Sequence, residues 1–109
     1  MAAMTPLTFE ILLALADEHR HGYGIIKEID SRSGPGSAPS TGALYLALQR
    51  MEGGGLIEEA DVPAGSGDAR RRYYRLTREG RESAEMESGR LERLVASARA
   101  KRLLVGRAT

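Results

Sequence analysis

The sequence contains no cysteine and no tryptophan, and these absences exclude several classes of protein. Without cysteine there is neither a disulfide framework nor a thiolate metal site, which agrees with a reducing cytoplasm. No apolar run approaches the roughly 18 residues of a membrane-spanning helix, and residues 1–6 lack the basic and apolar regions of a signal peptide. We therefore expect a soluble, cytoplasmic protein with no membrane partner.

Large aromatic side chains are also scarce. The 109 residues include one Phe and four Tyr, so few bulky groups are available to fill the core of a single domain. Such a chain would gain stability by burying more surface against a second copy. Charged residues make up 28% and hydrophobic residues 41%, which is typical of a folded domain. Because the net charge is only +1, a surface for nucleic acid must come from the distribution of charge rather than from its sum.

What the sequence does contain is a helix with two different faces at residues 40–51. Leu44, Ala47, Leu48 and Met51 recur at helical spacing and form one apolar stripe for a core. The opposite face carries a hydroxyl, a phenol, a bare Leu, an amide and a guanidinium, which suit the base edges and phosphates of nucleic acid. These residues are Thr41, Tyr45, Leu46, Gln49 and Arg50. The pattern fits a DNA-recognition helix, and an ordinary amphipathic core helix is the alternative.

Two further helices precede this one. Thr5 and Pro6 supply a hydroxyl N-cap and a proline at the first helical position, which predicts the start of the first helix. After a break at residues 17–22, a second helix is predicted over residues 23–32, and a turn-rich connector leads from it to an N-cap at Ser40. Two helices, a turn and a third helix with a polar face are the parts of a helix-turn-helix.

Two histidines, His19 and His21, lie in the break between the first two helices. A metal site would need one or two further ligands, and no carboxylate or cysteine pattern supplies them. We therefore interpret both as turn residues and expect neither a metal nor a cofactor. The glycine-containing connector before Ser40 matches neither a dinucleotide-binding pattern nor a P-loop, so nucleotide binding is not expected there.

The segment after the two-faced helix predicts a β-hairpin. Residues 56–62 and 70–76 have the composition of strands and flank a turn-rich loop, as in the wing of a winged helix. Residues 52–61 carry four acids and no base, whereas residues 70–81 carry six Arg against a single Glu. Arginines interleaved with tyrosines suit a phosphate clamp or a minor-groove finger. The alternative is a solvated hairpin whose Arg pair with Glu of the opposite strand, and both can hold on alternate faces.

A long last helix is predicted from an N-cap at Thr77 toward Leu104. Its second half carries residues at i, i+3, i+4, i+7, i+11 and i+14, a narrow seam that approaches two heptads of a coiled coil. These residues are Leu91, Leu94, Val95, Ala98, Arg102 and Val105. The simplest cover for the apolar members is the same helix of a second subunit, and packing back on the chain's own domain is the alternative. Residues 1–76 would then form the DNA-binding domain and residues 77–109 the dimerisation helix.

Several of these stretches together resemble the PadR family of transcriptional regulators. The resemblance is carried by LLALADEHRHGY at residues 12–23, TGALYLALQR at 41–50, GLI at 55–57 and RRYYRLTREG at 71–80, in order and at matching spacing. It implies a mostly α-helical fold with a small β-hairpin: a winged helix-turn-helix with one long C-terminal helix, as in the short form of the family. It also implies a homodimer joined through that helix and bound to a roughly palindromic operator, usually as a repressor.

The same resemblance implies roles for particular residues. The residues implied to face the major groove are Ser40, Thr41, Tyr45, Leu46 and Gln49. The residues implied to contact phosphate or the minor groove are Tyr23, Tyr45, Arg50, Arg70, Arg71 and Arg72. Leu46 replaces the Pro or polar residue often found after the Tyr, and its apolar side chain suits a thymine methyl group. Some short members bind flat hydrophobic drugs between stacked Trp residues at the dimer interface, and this chain has no Trp for such a pocket.

The leading hypothesis is a dimeric DNA-binding repressor that a small-molecule effector releases from its operator. The alternative is a winged-helix protein-interaction module that dimerises and docks a partner through its acidic strand or its Tyr-rich wing. The net charge near zero keeps this alternative open, since many DNA-binding domains are more basic. An enzyme is not expected, because no nucleophile, base and orienting group can be assembled from the loops and helix ends.

Overall fold

The computed structural model describes residues 4–62 and 71–104. Four helices and three short strands follow one another along these residues: α1 (Pro6–Leu15), β1 (Arg20–His21), α2 (Gly22–Ser33), α3 (Thr41–Gly53), β2 (Ile57–Ala60), β3 (Tyr73–Leu76) and α4 (Arg78–Ala100). The predicted winged helix-turn-helix with one long C-terminal helix is confirmed. Within the same residues, no helix is both long enough and apolar enough to cross a membrane.

Each helix begins at a side chain that caps its first turn. The hydroxyl oxygens of Thr5, Ser40 and Thr77 accept hydrogen bonds from the backbone N–H three residues later, as the sequence predicted. α2 begins differently, because Nδ1 of His21 accepts the hydrogen bond from the N–H of Gly24 at 3.0 Å. Histidine is not among the usual N-cap residues, which explains why the sequence located this helix start but not its cap.

The sheet differs from the predicted two-stranded hairpin. β3 lies in the middle and pairs antiparallel with β2 on one side and with β1 on the other. The register places Tyr74 opposite both Arg20 and Glu59. β1 has only two residues, too few for an alternating apolar pattern, so no periodicity in the sequence predicts it. The break before α2 thus contains the short strand β1, which joins the start of α2 to the sheet. The β2–β3 pair, together with Arg71 and Arg72 that lead into β3, is called the wing.

The hydrophobic core lies where α1, α2, α3 and the sheet meet. Its largest fully buried side chains are Ile11, Leu12, Ile25, Ile29, Leu44, Leu48, Met51 and Ile57. The stripe predicted for residues 40–51 is therefore the buried side of α3, with Ala47 half-buried at its edge. Because this stripe is fixed against the core, the remaining side chains of α3 are directed toward solvent.

Leu56 joins α3, the wing and α4. Its N–H donates to the carbonyl of Met51 at 2.9 Å, and the N–H of Gly55 donates to the carbonyl of Glu52 at 3.1 Å, so that α3 ends in a Schellman motif. Gly55 has a φ of +81°, a left-handed conformation that favours glycine. The carbonyl of Leu56 in turn accepts a hydrogen bond from the N–H of Thr77 at 3.1 Å. The backbone of one residue, Leu56, therefore ends α3 through its N–H and anchors the start of α4 through its carbonyl.

α4 is shorter than predicted. It ends at Ala100, so the prediction that it runs toward residue 104 was wrong. Arg102 follows in a left-handed conformation with a φ of +63°, and its N–H donates to the carbonyl of Arg99 at 3.0 Å. This conformation turns the chain away from the helix axis. The predicted seam therefore loses Arg102 as a helical member, and Val105 lies outside the described residues.

Gly80 tests the anchoring of α4. It packs against the carbonyl of Leu56 so closely that an added Cβ would overlap the carbonyl oxygen. Gly80→Ala should lower the free energy of unfolding by about 1–3 kcal/mol, because the overlap is with backbone that cannot rotate away. Gly89→Ala is the matched control, since its Cβ would meet only the Arg93 guanidinium at 3.6 Å, and it should stabilise by up to about 1 kcal/mol. Urea unfolding of both variants is the measurement, and an unchanged midpoint for Gly80→Ala would contradict the close packing.

Candidate DNA-binding surface

α3 presents an exposed face beside its buried stripe. Leu44, Leu48 and Met51 are at most 1% exposed, whereas the predicted contact residues of this segment all reach solvent. Those exposed residues are Ser40, Thr41, Tyr45, Leu46, Gln49 and Arg50. The division of the helix into two faces is confirmed, and the base-reading role of the exposed face stays a prediction.

The exposed face of α3 has two sides that border different clefts. Tyr45 and Gln49 lie toward the wing and line a cleft of about 240 Å³ together with wing side chains. Leu46 and Arg50 lie on the other side and line a cleft of about 600 Å³ between α3 and the start of α1. The residues of α3 that were predicted to contact DNA therefore point in two directions. Gln49 shares its cleft with Tyr45 and with side chains of the wing.

Side chains from three elements meet at a third cleft, here called the tyrosine–arginine cleft. It has a volume of about 350 Å³ and is bordered by the start of α2, the middle of α3 and the wing. The lining residues are His21, Tyr23, Tyr45, Arg71 and Arg72. Four of these five were predicted from the sequence as DNA contacts, and the structure brings them together. His21 is the member that the sequence analysis missed.

The position of the Tyr45 phenol depends on a glycine. Gly22, the first residue of α2, is buried beneath the ring, and a Cβ added there would overlap the Oη and Cζ atoms of Tyr45. Only a residue without a side chain leaves room for this approach. α2 and α3 are therefore in contact at the point where both border the tyrosine–arginine cleft.

Tyr23 stands at the outer edge of the cleft, where it is 58% exposed. Nζ of Lys27, one turn further along α2, lies 5.5 Å from the centre of the Tyr23 ring. A cation at this distance is weakly attracted to an aromatic face. Lys27 places a positive charge beside the cleft that the sequence analysis did not single out, although its i, i+4 spacing from Tyr23 was a usable signal.

Two wing arginines are engaged by acidic neighbours. Arg72 donates a hydrogen bond to Glu59 at 3.1 Å and lies 3.5 Å from Glu52. The hydrogen bond to Glu59 is the main cause that raises the pKa of Arg72. Arg75 donates to Glu58 at 2.8 Å. Both arginines follow the alternative in which the hairpin pairs its own charges, although all of these side chains remain substantially exposed and such pairs are weak.

Arg71 is placed differently from Arg72 and Arg75. Its Nη1 lies 2.7 Å from Nε2 of His21, inside the tyrosine–arginine cleft. Arg70, also predicted as a contact, lies outside the described residues. Of the wing arginines in the described part of the chain, Arg71 has the position best suited to a phosphate contact.

The seam of α4 keeps apolar side chains at the surface of the single chain. Leu94 and Val95 are 52% and 43% exposed, and Leu91 and Ala98 are partly buried. Ala84, in the first half of α4, packs against the core. An exposed apolar stripe of this kind suits a partner surface, and the assignment of these residues to a dimer interface stays a prediction.

Comparisons with known proteins show what the chain is similar to. A family model described as "Transcriptional regulator PadR-like family" matches residues 11–86, a range that contains the whole tyrosine–arginine cleft. The crystal structure of a PadR family transcription regulator from hypervirulent Clostridium difficile R20291 is similar with a TM-score of 0.74 and 28% identity, covering 88% of this chain and 97% of that chain.

Two further comparisons involve longer proteins. Bacillus subtilis PadR in complex with operator DNA shares the fold, with a TM-score of 0.62, 21% identity, and coverage of 74% of this chain and 45% of that chain. A 37.1 kDa protein in transposon TN4556 of Streptomyces fradiae is 38% identical over 84 residues, which is 77% of this chain. The chain spans only 22% of the length of that relative.

The contact between Gly22 and Tyr45 gives a test of the cleft's geometry. Gly22→Ala should destabilise the protein, because its Cβ displaces the phenol, and the cost should largely disappear in a Tyr45→Ala background. The coupling in this double-mutant cycle should be about 0.5–3 kcal/mol. Gly24→Ala is the matched control, since its Cβ would meet His21 and Arg20 at ordinary distances of 3.5 and 3.6 Å. Equal costs of Gly22→Ala with and without Tyr45, read from urea unfolding, would show that the ring does not lie on Gly22.

Proposed function

The chain belongs to the PadR-like family of transcriptional regulators, and on this basis we propose that it is a sequence-specific DNA-binding repressor that acts as a homodimer. The observation that carries the proposal is the tyrosine–arginine cleft, where side chains suited to phosphate converge beside the exposed face of α3. A binding site for operator DNA needs both parts, because phosphate contacts position the protein and base contacts select the sequence. This function places the protein in the cytoplasm, with DNA as its partner.

Base reading is assigned to the exposed face of α3 in the major groove. Gln49 carries an amide that can donate to and accept from adenine in a bidentate contact, and Leu46 suits a thymine methyl group. Thr41 and Ser40 lie in the first turn and at the cap, where hydroxyl groups reach either a base edge or a phosphate. Since Gln49 lies toward the wing and Leu46 away from it, the two would contact different base pairs.

Positioning on the DNA backbone is assigned to the tyrosine–arginine cleft. Tyr23 and Tyr45 offer phenolic O–H donors, and Arg71 offers a guanidinium, from three different elements. Arg50, on the exposed face of α3, and Arg70 are proposed to add further cations. Arg72 would contribute only by exchanging its contact with Glu59 for a phosphate.

The proposed dimer is joined through the seam of α4, formed by Leu91, Leu94, Val95 and Ala98, with Val105 as the further contact that the sequence predicts. Residues 77–109 would be the dimerisation segment and residues 1–76 the DNA-binding domain. Two copies of α3 about 34 Å apart would enter successive major grooves on one face of the duplex. A protein of the same fold, Bacillus subtilis PadR, has been crystallised with operator DNA, which supports a DNA-bound role for this architecture.

Release from DNA is proposed to follow a change in the angle between the two protomers. A small-molecule effector that bound one dimer geometry better than the other would shift the population toward it. Because the N–H of Leu56 ends α3 and its carbonyl anchors the start of α4, a change of angle at α4 would move α3 with it. The two recognition helices would then no longer match successive grooves.

Two substitutions separate base reading from positioning. Gln49→Ala should mainly weaken discrimination between sites, by about 1–3 kcal/mol at the base pair that it reads. Arg71→Ala should weaken binding to all duplexes and reduce the salt slope by about 1. Arg75→Ala is the matched control, because Arg75 is paired with Glu58 and lies outside the cleft. Fluorescence anisotropy on specific and random duplexes is the measurement, and equal loss on both for Gln49→Ala would remove its base-reading role.

The dimer seam has its own matched pair of variants. Leu94→Glu should give monomers, because it places a charge in the middle of the apolar stripe. Met86→Glu should remain dimeric, since Met86 is 77% exposed and lies on the other side of α4. Sedimentation equilibrium distinguishes the two. A dimer that survives Leu94→Glu would place the interface elsewhere.

The whole proposal is tested by selection of bound sequences from randomised duplexes at two salt concentrations. Enrichment of an inverted repeat with half-sites about 10 bp apart is the expected result. Salt-sensitive binding without an enriched sequence would indicate a surface that binds polyanions without reading their sequence. Absence of binding at low salt would favour a protein-interaction module. The acidic strand β2, whose Glu58 and Glu59 pair with arginines of the wing, would then be the docking surface.

A further inference from the structure

The cleft between the start of α1 and α3, here called the α1–α3 cleft, lies apart from the tyrosine–arginine cleft and has no role in the proposed function. Its volume is about 600 Å³, against about 350 Å³ for the tyrosine–arginine cleft. Small organic molecules bind in clefts of about 300–1,000 Å³ that are mostly apolar and carry a few polar groups. The α1–α3 cleft has this size, and its lining indicates which kind of molecule it suits.

The walls of the α1–α3 cleft are mainly apolar. Met51 lines it and is only 1% exposed, so the cleft reaches the hydrophobic core. Leu46 stands at the opening, where it is 48% exposed. The other apolar side chains of the lining are Leu7, Ala43 and Ala47. The apolar part of a bound molecule would leave water in such a cleft, which is favourable in proportion to the area that it buries.

The charge of the cleft comes from one residue. Its described lining contains the guanidinium of Arg50 and no acidic side chain. In residues 4–62 and 71–104, no acidic side chain forms an ion pair with Arg50. A guanidinium beside an apolar surface suits an acceptor with a negative charge, such as a carboxylate or a sulfonate.

A hydroxyl donor borders the cleft on the side of α1. The Oγ1 atoms of Thr5 and Thr8 lie 2.9 Å apart, so one of the two hydroxyl groups donates to the other. The hydrogen of the other hydroxyl group has no acceptor among the described residues. The polar groups that the cleft offers to a bound molecule are therefore donors, and they come from two helices.

We propose that the α1–α3 cleft binds a small organic anion, with its apolar body against Leu46 and Met51 and its carboxylate or sulfonate on Arg50. A backbone phosphate suits the cleft less well, because it has no apolar body to fill the space. Leu46 and Arg50 are also proposed to contact DNA, so the anion would cover one and neutralise the other. It would compete with DNA within one protomer, in addition to any change in the dimer angle. This consequence, unlike the site itself, rests on the proposed DNA-binding function.

The test uses two fluorescent dyes that share their aromatic rings and differ in charge. Anilinonaphthalene sulfonate carries a sulfonate group, and phenylnaphthylamine is its neutral counterpart. Titration of the full chain should show one saturable site per protomer for the sulfonate, with about tenfold weaker binding of the neutral dye. Equal affinity for the two dyes, or no saturable binding of the sulfonate, would overturn the proposal.

Two arginine variants remove the same charge from different places. Arg50→Gln should bring the affinities of the two dyes within about twofold of each other, because the neutral dye makes no use of the guanidinium. Arg75→Gln is the matched control and should keep the preference for the sulfonate, since Arg75 pairs with Glu58 and does not line the cleft. An equal loss of preference in both variants would mean that the dye responds only to net charge, against the assignment to Arg50.

Ala43→Leu fills the cleft without changing its charge. Ala43 is exposed on α3 and is not among the residues proposed to contact DNA. Both dyes should bind this variant about tenfold more weakly than wild type, and urea unfolding checks that it folds. Unchanged dye binding would place the dyes elsewhere, such as on the seam of α4. A change in the sedimentation equilibrium without a change in dye binding would make the cleft a contact between protomers. Either result would overturn the proposal.

Competition with DNA is measured separately. Saturating sulfonate dye should weaken binding of the wild type to the selected duplex about tenfold, and the duplex should weaken binding of the dye by the same factor. Ala43→Leu should bind the duplex equally with and without the dye. A wild-type affinity that does not respond to the dye would overturn the competition. Specific dye binding by a chain that binds no DNA would support the site and contradict the proposed function.

Discussion

The backbone of Leu56 holds the functional parts of the molecule in a fixed relation. Its N–H donates to the carbonyl of Met51 in the last turn of α3, and its carbonyl accepts the N–H of Thr77 while Gly80 packs against it. Because two helices are anchored on neighbouring groups of one residue, the direction of α4 fixes the direction of α3. A partner that binds along α4 would thereby determine where the exposed face of α3 points.

The net charge of +1 conceals a local division of charge. The acidic strand β2 holds Arg72 and Arg75 through Glu59 and Glu58, whereas the tyrosine–arginine cleft combines Arg71 with neutral donors. Non-specific affinity for DNA scales with the number of phosphates that cations neutralise. A surface that combines paired arginines with several neutral donors would bind random DNA weakly, so that the base contacts proposed for α3 would decide where the protein stays.

The features that the sequence predicted correctly depend on local patterns, and those it did not predict depend on contacts between distant residues. The caps at Thr5, Ser40 and Thr77 and the buried stripe of α3 depend on residues within a few positions of one another, and all were predicted. β1 exists because β3 offers it an edge, and α4 ends because Arg102 adopts a left-handed conformation. Gly22 shows the limit most clearly: its sequence position suggests a helix boundary, but only the fold places a phenol ring on it.

The most direct measurement of the central claim is the distance between the two copies of α3 in solution. The chain has no cysteine, so Gln49→Cys allows one spin label per protomer on the exposed face of α3. A homodimer joined through α4 and matched to successive major grooves predicts a single inter-label distance of about 34 Å by pulsed electron paramagnetic resonance. Absence of dipolar coupling, or a distance far from one turn of DNA, would contradict the claim that α4 presents two recognition helices to one operator.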